Sequence, residues 1–500
     1  MLYEELIMDS TTLLKYQLYK KLMSVGQTSY PVSQIATEMN LNYQQTVIDL
    51  TEIDAELSEL DPHYQSIFVG AGKVNCLNLS FTIDKYRYHL LKSSIPFQFV
   101  LYFLNEENPS IDDFCVRYHS SRSTVSRKID KLKRHLKKFN IRFTYTEASM
   151  VGDERLVRLA LFNIVWLGAR GLDWPFAISE KKADALVKDF GNYFPLSRTY
   201  MGQLELRYFA AIVLSRIEKK HFVKYDKAYN FLMLNNPYYD FKKFKEHFGD
   251  SLAPRQVKAE TSYIYFLAHF MPFYTREDDP TLQQTIQDFS TRENPIYPLV
   301  TAFIAFAKEN FFNERPQILD QPIILGNLIN ITFAFYIFKQ PFPIIQRLVV
   351  APRKKDGTIR EIEQKISAFF TDYKATNENA ETGYITEQTQ ELMTKAFKDV
   401  LLPFYDRAKH TKKVKVGIAL EHNYLLVKGL YQFLEDLHFV DVERYDRQQK
   451  SAYDLVISSS LLLKDSYPDI NIFLWDYSGE DEQFIILYKT LRNLSSAINH

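Results

Sequence analysis

The stretch PSIDDFCVRYHSSRSTVSRKIDKLKRHL, residues 109–136, decides the fold of the region around it. It divides into a short helical segment, a turn at HSS and a longer helical segment for which Ser121 is a favourable N-cap. The longer segment carries apolar residues at the spacing of one helical face, namely Val125, Ile129, Leu132 and Leu136. This pattern predicts a helix-turn-helix whose second helix packs on a core through one stripe.

The other faces of that second helix are strongly basic. Residues 117–142 contain ten Lys and Arg residues, opposed only by Asp130. Lys and Arg neutralise phosphates, whereas hydroxyl and guanidinium groups read base edges, so we predict a contact with duplex DNA. The predicted DNA-binding residues are Ser121, Arg122, Ser123, Thr124, Ser126, Arg127, Lys128, Lys131, Lys133, Arg134, Lys137 and Lys138. A charge run alone is more often a solvated face, but here charge, turn and apolar stripe coincide.

The surrounding sequence extends this unit and repeats it. Residues 84–108 predict a leading helix, and IRFTYTEASMVGDERLV, residues 141–157, predicts a hairpin that serves as a wing. Residues 31–60 also indicate helix, turn and helix, followed by an extended segment at 66–79. We therefore predict two winged helix-turn-helix units in tandem, over residues 1–80 and 81–160.

The first unit has the opposite charge. No Lys or Arg occurs between Lys21 and Lys73, and its second helix carries Asp49, Glu52, Asp54, Glu56 and Glu59. A phosphate backbone repels such a helix, so we expect this unit to contribute little DNA affinity or to pack against protein. Its only plausible DNA contacts are Asn42, Tyr43, Gln44 and Gln45.

The remainder of the chain changes character twice. Residues 153–402 show helical spacing throughout, and proline breakers near Pro280 and Pro295 divide them into two five-helix bundles, 161–290 and 291–402. Strand and helix patterns alternate over residues 410–500, which indicates a small α/β domain with a parallel sheet. The predicted fold is thus multidomain and mainly α, with two winged helix-turn-helix units, two bundles and a C-terminal α/β domain.

Composition restricts the function further. Lys plus Arg and Asp plus Glu are equal at 61 each, which argues against a general nucleic-acid coat protein. The two cysteines, Cys76 and Cys115, favour a reducing compartment, and the apolar run 323–338 is too short and too polar to span a membrane. We expect a cytoplasmic protein. Without a phosphate-binding glycine loop, HExxH or GxSxG motif, we predict no enzyme, no cofactor and no metal site.

Two histidines are candidates for phosphorylation. His221 follows a helix in RIEKKHFVKYD, where Arg216, Lys219, Lys220 and Lys224 offer cationic partners for a phosphoryl group. His269 lies in the apolar segment YIYFLAHFMPF. A histidine near lysines at a helix end is more often simply on the surface, and an apolar neighbourhood more often indicates a satisfied core histidine.

The order of these parts resembles the Mga and AtxA type of virulence regulator. The resemblance covers almost the whole chain and is most specific in residues 109–136, GDERLVRLALFNIVW and LRYFAAIVLSRIEKKHFVKYD. It implies two phosphotransferase-system regulation domains, a C-terminal domain similar to the EIIB component of sugar transporters, and DNA reading by the second helix-turn-helix. It also implies phosphorylation of regulation-domain histidines by the carrier HPr, for which His221 and His269 are the matching positions, and a homodimer formed through the C-terminal half.

This sequence departs from the family pattern in two places. The second regulation-type domain contains no histidine, and the EIIB-like domain has no cysteine after its first strand. The role of the EIIB-like domain is therefore expected to be association rather than phosphotransfer. The alternatives are an RNA-binding antiterminator under phosphotransferase control, which would need a small β-rich N-terminal domain, and a phosphotransfer or protein-interaction module, for which His422 is the nearest phosphorylatable residue.

Overall fold

The computed structural model describes residues 2–70, 72–144, 149–249, 252–313, 315–350, 357–377, 382–408, 412–421, 423–437, 439–446, 453–466, 468–477 and 481–498. The chain forms two compact units. One comprises residues 1–310 and 316–400, and the other comprises residues 311–315 and 401–500.

The N-terminal part of the larger unit is helical, with two short pairs of antiparallel strands. Its helices are α1 (Tyr3–Ile7), α2 (Ser10–Val25), α3 (Val32–Glu38), α4 (Tyr43–Leu60), α5 (Ile83–Lys92), α6 (Ile95–Asn105), α7 (Ile111–Arg117), α8 (Arg122–Lys128) and α9 (Asp130–Lys137). Its strand pairs are β1 (Tyr30–Pro31) with β2 (Lys73–Val74), and β3 (Arg142–Thr144) with β4 (Ser149–Val151). In the second unit helix, turn, helix and strand pair follow one another as predicted, whereas in the first unit β1 precedes α3 and pairs with β2, which follows α4.

Two local predictions in the basic region were wrong in detail. The long basic helix is two helices, because Ile129 has a ψ of 1° and interrupts the helical backbone between α8 and α9. Ile129 nevertheless remains buried with Val125, so the predicted apolar stripe stays on one side. The hairpin ends at Val151, and Asp153 caps the next helix by accepting a hydrogen bond from the Arg155 backbone N–H. The tip of the predicted wing, residues 145–148, lies outside the described residues.

The rest of the larger unit is built from helices alone in the residues that the structure describes. They are α10 (Glu154–Ala169), α11 (Glu180–Phe190), α12 (Tyr200–Glu218), α13 (Asn230–Met233), α14 (Lys245–Phe248), α15 (Pro254–Leu267), α16 (Pro280–Thr291), α17 (Ile296–Asn310), α18 (Pro322–Phe338), α19 (Gln346–Val349), α20 (Gly357–Thr376) and α21 (Glu387–Ala408), whose last residues enter the smaller unit.

Helix α18 lies at the centre of the later helices. It is buried on nearly every face, as expected for residues 323–338, and the buried Asn330 satisfies its amide by donating to the Met271 carbonyl at 2.9 Å. Helix α16 packs on α18, where the rings of Phe289 and Phe333 are 5.3 Å apart. Most of α16 precedes the predicted boundary at 290/291. The helix nevertheless packs on α18, which was expected in the second bundle.

The N-terminal helix α1 is held against α5 and α10 of the larger unit by hydrogen bonds and an ion pair. Tyr3 donates from its hydroxyl to the carbonyl of Ile164 in α10 at 2.7 Å. Arg87, which is 1% exposed, pairs with Glu4 and donates to the carbonyls of Leu167 and Gly168 at the end of α10. Free carbonyls at a helix C-terminus favour such a cation. A Cβ on Gly168 would lie 2.3 Å from the Phe97 ring, so the close packing requires glycine.

The smaller unit contains the small parallel sheet that the sequence predicted. Its strands are β5 (Val414–Ala419), β6 (Val440–Arg444), β7 (Leu455–Ser458) and β8 (Ile472–Leu474), in the spatial order β6-β5-β7-β8, all parallel. Its helices are α22 (Tyr424–Glu435), α23 (Leu462–Ser466) and α24 (Asp481–Ile498). Buried residues of β5, including Val414 and Val416, form the core with Leu434, Leu487 and Leu491.

Within the described ranges, no helix has both the length and the apolar character needed to cross a membrane.

Candidate nucleic-acid interface

An aromatic core fixes the helices of the basic region. Phe99 of α6 contacts Phe114 of α7 and Phe143 of β3, with ring centroids 5.1 and 5.3 Å away. The ring of Tyr102 packs on Phe114 at 5.3 Å. Edge-to-face packing of this kind holds three elements in one orientation. Helix α6 therefore acts as the support from which the turn and the basic helices project.

Side-chain caps define the turn between α7 and α8. Ser110 caps α7 by accepting from the Asp113 backbone N–H at 3.1 Å, and Ser121 caps α8 by accepting from the Thr124 N–H at 3.2 Å. Between the helices, His119 adopts a left-handed conformation with φ of 47°. The N-terminus of α8 is thereby exposed at the surface. The N-cap role predicted for Ser121 is confirmed.

The predicted contact residues lie largely at the surface of this region. The exposed ones are Ser121, Arg122, Ser123, Arg127, Lys131, Arg134, Lys137 and Lys138. The half-buried ones are Thr124, Ser126, Lys128 and Lys133. The stripe residues Leu132 and Leu136 are buried on the opposite side. The structure thus places the predicted set on one accessible surface around α8 and α9, which we call the basic face.

Part of the positive charge on the basic face is already paired. Arg122 forms a bidentate ion pair with Asp112 of α7, whose Oδ1 is 2.6 Å from Nε, and this contact lowers the pKa of the Asp112 carboxyl. Arg134 pairs with Asp130 at 3.0 Å, and Lys128 pairs with Asp9 at 3.2 Å. Lys131 donates to the carbonyl of Glu5 at 3.2 Å.

Three cations of the basic face differ from this group. Across the described ranges, Arg127, Lys137 and Lys138 have no ion-pair partner, and all three are exposed. Exposed unpaired cations are the groups that release counterions from a phosphate backbone at the lowest cost. They are therefore the strongest candidates for phosphate contacts.

Helix α5 carries a set of basic residues that was not predicted from the sequence. Lys85, His89 and Lys92 line an open groove of about 720 Å³ together with Arg117 and Lys128. Their spacing of four and three residues puts them on one face of α5, and this periodic signal was present in the sequence. The groove borders the turn between α7 and α8, because Tyr118 and His119 also line it.

The acidic residues of α4 serve the internal structure of the first helix-turn-helix. Asp54 accepts hydrogen bonds from the Tyr64 hydroxyl at 2.7 Å and from the Ile67 N–H at 2.9 Å, which holds the segment that follows α4. Glu56 pairs with Lys15 at 2.5 Å and accepts from the Tyr86 hydroxyl at 2.6 Å. Of the suggested DNA contacts, Asn42 caps α4, while Tyr43, Gln44 and Gln45 are exposed.

His221 lies beside a buried network of charges. The Arg158 guanidinium donates to the His221 carbonyl at 2.9 Å and pairs with Glu260 at 2.6 Å, and both of these charged side chains are fully buried. Arg216 pairs with Glu154 at 2.7 Å in the same cluster. Burial, followed by the charge of Arg216, lowers the pKa of the half-buried His221 ring. Both effects favour the neutral imidazole over the protonated one.

His269 has a different environment. It is 5% exposed, its Nε2 lies 2.9 Å from the Tyr239 hydroxyl, and its Nδ1 lies 3.3 Å from the Thr285 hydroxyl. Burial lowers its pKa to about 4. Both ring nitrogens are thus engaged inside the core, the arrangement typical of a satisfied core histidine.

Comparison with known proteins locates the basic face within a known kind of domain. Residues 79–164 match the family model described as the Mga helix-turn-helix domain. This segment contains α5 to α9, the strand pair β3–β4 and most of α10. The match supports a transcriptional regulator of the Mga and AtxA type, the class named from the sequence.

A similarity to a particular regulator covers more of the chain. The capsule synthesis positive regulator AcpB of Bacillus anthracis is 20% identical over 337 residues, which are 63% of this chain and 67% of that protein. The similarity extends well beyond the 86 residues of the helix-turn-helix match. It therefore supports the same class of regulator over a longer part of the chain.

Proposed function

We propose that the protein regulates transcription by binding duplex DNA through α7, α8 and α9. The observation that carries this proposal is the exposed, unpaired set Arg127, Lys137 and Lys138 on a capped helix pair inside the segment that matches the Mga domain. In this proposal α8 enters the major groove with its first turn, where Ser123 and Arg127 face base edges. Lys137 and Lys138 contact phosphates.

The groove lined by α5 extends the proposed contact surface. Lys85 and Lys92 line this groove together with Lys128 of α8, so the groove adjoins the basic face. A duplex seated on α8 would then also meet the cations of α5. Such contacts position the protein on the backbone without reading sequence.

The test is DNA binding as a function of salt for the Lys137→Ala/Lys138→Ala double variant. Removing two phosphate-neutralising cations is expected to weaken binding and to reduce the salt slope by about 2. The matched control is Lys181→Ala/Lys188→Ala, which removes two exposed cations from α11. If both double variants bind like the unmodified protein, the basic face is a solvated surface and the proposal fails.

The same titration distinguishes the antiterminator alternative. A helix-turn-helix reader binds duplex DNA in preference to single-stranded RNA of equal length, because its recognition helix requires a major groove. Equal or tighter binding to the RNA would favour an RNA-binding antiterminator. The first helix-turn-helix is proposed to contribute little to DNA affinity. Gln44→Ala and Gln45→Ala are therefore expected to leave the DNA affinity unchanged.

We infer a division of the chain into the five domains expected from the sequence, with one adjustment. Because α16 packs on α17 and α18, the second helical bundle in this proposal begins near Pro280 rather than at 291. The bundles then correspond to the two regulation domains, and residues 410–500 correspond to the EIIB-like domain.

We propose His221 as the phosphorylation site in preference to His269. His221 is half-buried with a lowered pKa, and Lys220 and Lys224 beside it are exposed cations, whereas His269 is enclosed by Tyr239 and Thr285. Phosphorylated HPr is the proposed donor. Acid-labile phosphate that is lost in His221→Gln and retained in His269→Gln is the expected result, and the reverse pattern would contradict it.

The smaller unit is proposed to form a homodimer with a second copy of itself. It exposes large apolar side chains on several elements: Tyr424, Leu425, Leu426, Leu461, Leu462, Ile485 and Ile486. Leu425 is 85% exposed, an unusual state for a leucine without a partner surface. The Leu425→Glu/Leu462→Glu double variant is expected to be a monomer, and analytical ultracentrifugation would measure this change. A dimer would present two basic faces to one duplex.

A further inference from the structure

An enclosed apolar cavity lies between α10, α12 and α15, apart from the basic face and from His221. Its volume is about 90 Å³, and it is closed on one side by Pro343 and Ile345, which follow α18. Five phenylalanines line it: Phe162, Phe194, Phe209, Phe270 and Phe273. A space of this size exceeds the volume that a single buried water requires, and it suits a molecule of several non-hydrogen atoms.

Two polar groups in this cavity have no protein partner. Glu205 of α12 makes no ion pair or hydrogen bond within the described residues, although its side chain is half-buried among the cavity walls. The Nδ2 atom of Asn163 on α10 is fully buried and also has no hydrogen-bond partner. Buried polar atoms are nearly always satisfied in folded proteins, so the Asn163 amide indicates a missing occupant, and the unpaired Glu205 carboxyl lines the same cavity.

Glu205 is the sole titratable side chain among the residues that line the cavity. Burial raises its pKa to about 7, and no neighbouring charge opposes this effect. The carboxylate is therefore an acceptor that lacks a cation. Asn163 supplies a donor that lacks an acceptor.

The aromatic walls favour one class of cation. The rings of Phe162 and Phe209 lie 5.7 Å apart, and those of Phe270 and Phe273 lie 5.6 Å apart. Phenylalanine faces attract an ammonium group that has been stripped of water, and they accommodate the hydrocarbon to which it is attached. A metal ion would find only one carboxylate, and an anion would be repelled by it.

We propose that this cavity is a binding site for a small organic amine. The ammonium group pairs with Glu205, the hydrocarbon body lies among the phenylalanine rings, and a hydroxyl or carbonyl oxygen on the same molecule accepts from Asn163. The half-exposed side of Glu205 is the route of entry. The cavity is formed by α10, α12 and α15, so its occupancy stabilises the helices that adjoin the segment containing His221.

The test uses propylamine and 1-propanol, which match in size, fit the volume of the cavity and differ in charge. Isothermal titration of the full-length protein at about pH 8, where amines of this kind and Glu205 are both ionised, is expected to show binding of the amine in preference to the alcohol. Equal affinities, or no binding of the amine, would overturn the proposal and leave the cavity to water.

Glu205→Gln keeps the shape of the side chain and removes the charge. It is expected to lower the affinity for propylamine by about tenfold or more, as for the loss of a charge-assisted hydrogen bond, and to leave the binding of 1-propanol unchanged. Glu218→Gln, an exposed position on the same helix, is the matched control and should bind the amine normally. Retention of full amine affinity in Glu205→Gln would contradict the site. Because DNA binding is not the readout, this result is independent of the proposed function.

Discussion

Lys219 Nζ donates a hydrogen bond to the carbonyl oxygen of Phe103 at 2.7 Å. It also donates to the carbonyl of Glu106, so one ammonium group binds two free carbonyls at the C-terminus of α6. Lys219 follows α12 and stands two residues before His221. The loop that contains the proposed phosphorylation site is therefore attached to the helix that supports the basic face.

Replacing this lysine should weaken the attachment. Lys219→Met removes both hydrogen bonds and leaves partly buried carbonyls unsatisfied, so we expect the free energy of unfolding to fall by about 1–2 kcal/mol. Lys220→Met is the control, since Lys220 is adjacent and exposed. Thermal melting of the two variants provides the measurement. Equal melting temperatures would mean that the contact does not contribute to stability.

The ion pair between Arg122 and Asp112 is expected to restrain DNA binding. In Asp112→Asn the arginine is released and a negative charge near the duplex disappears, so affinity should rise several-fold and the salt slope should increase by about 1. Asp113→Asn removes one charge from the same helix without freeing an arginine. A salt titration in which both variants gain equally would show that net charge, and not release of Arg122, is responsible.

Acid should destabilise the larger unit through His269. The folded state holds this ring neutral with a pKa of about 4, whereas the unfolded chain protonates near 6.5. Between these values the unfolded state binds more protons, so stability is lost as pH falls from about 6.5 to 4, by up to about 3 kcal/mol. Urea unfolding at several pH values should show this slope in the unmodified protein and a smaller slope in His269→Gln. The exposed His63→Gln should behave like the unmodified protein.

Glu205 should act in the opposite direction. Its folded pKa of about 7 lies above the ordinary value of 4.5 for a glutamate, so the folded state binds more protons between these values and stability falls as pH rises through them. Glu205→Gln removes this cost and is expected to be more stable at neutral pH by on the order of 2 kcal/mol. Comparison of melting temperatures at about pH 5 and pH 8 is the measurement. A variant less stable than the unmodified protein at both pH values would contradict this assignment.

The sequence was most informative where the physical cause was local. The buried stripe through Val125 and Leu136, the cap at Ser121 and the strands of the parallel sheet all follow from short-range periodicity and capping. The break at Ile129 was missed because its four neighbours on each side favour a helix. The break appears only in the backbone angles of the folded chain.

Contacts between distant segments lay beyond such reasoning. The partners of the basic face include Asp9 and the carbonyl of Glu5, more than a hundred residues away from Lys128 and Lys131. The caps that Arg87 and Lys219 form on other helices depend on three-dimensional packing in the same way. The sequence therefore placed the candidate surface in one segment, but it could not show which charges of that surface are already neutralised.

The burial of α1 has a practical consequence for dissecting the protein. Tyr3, Leu6 and Ile7 are each at most 1% exposed, and α1 contacts α9. An expression fragment that begins at residue 79, where the Mga match begins, would lack these side chains and present a bare hydrophobic cleft to solvent, inviting aggregation. Fragments intended for DNA-binding experiments should therefore retain the first eight residues. A purification tag fused directly before them would crowd the contact between α1 and α9.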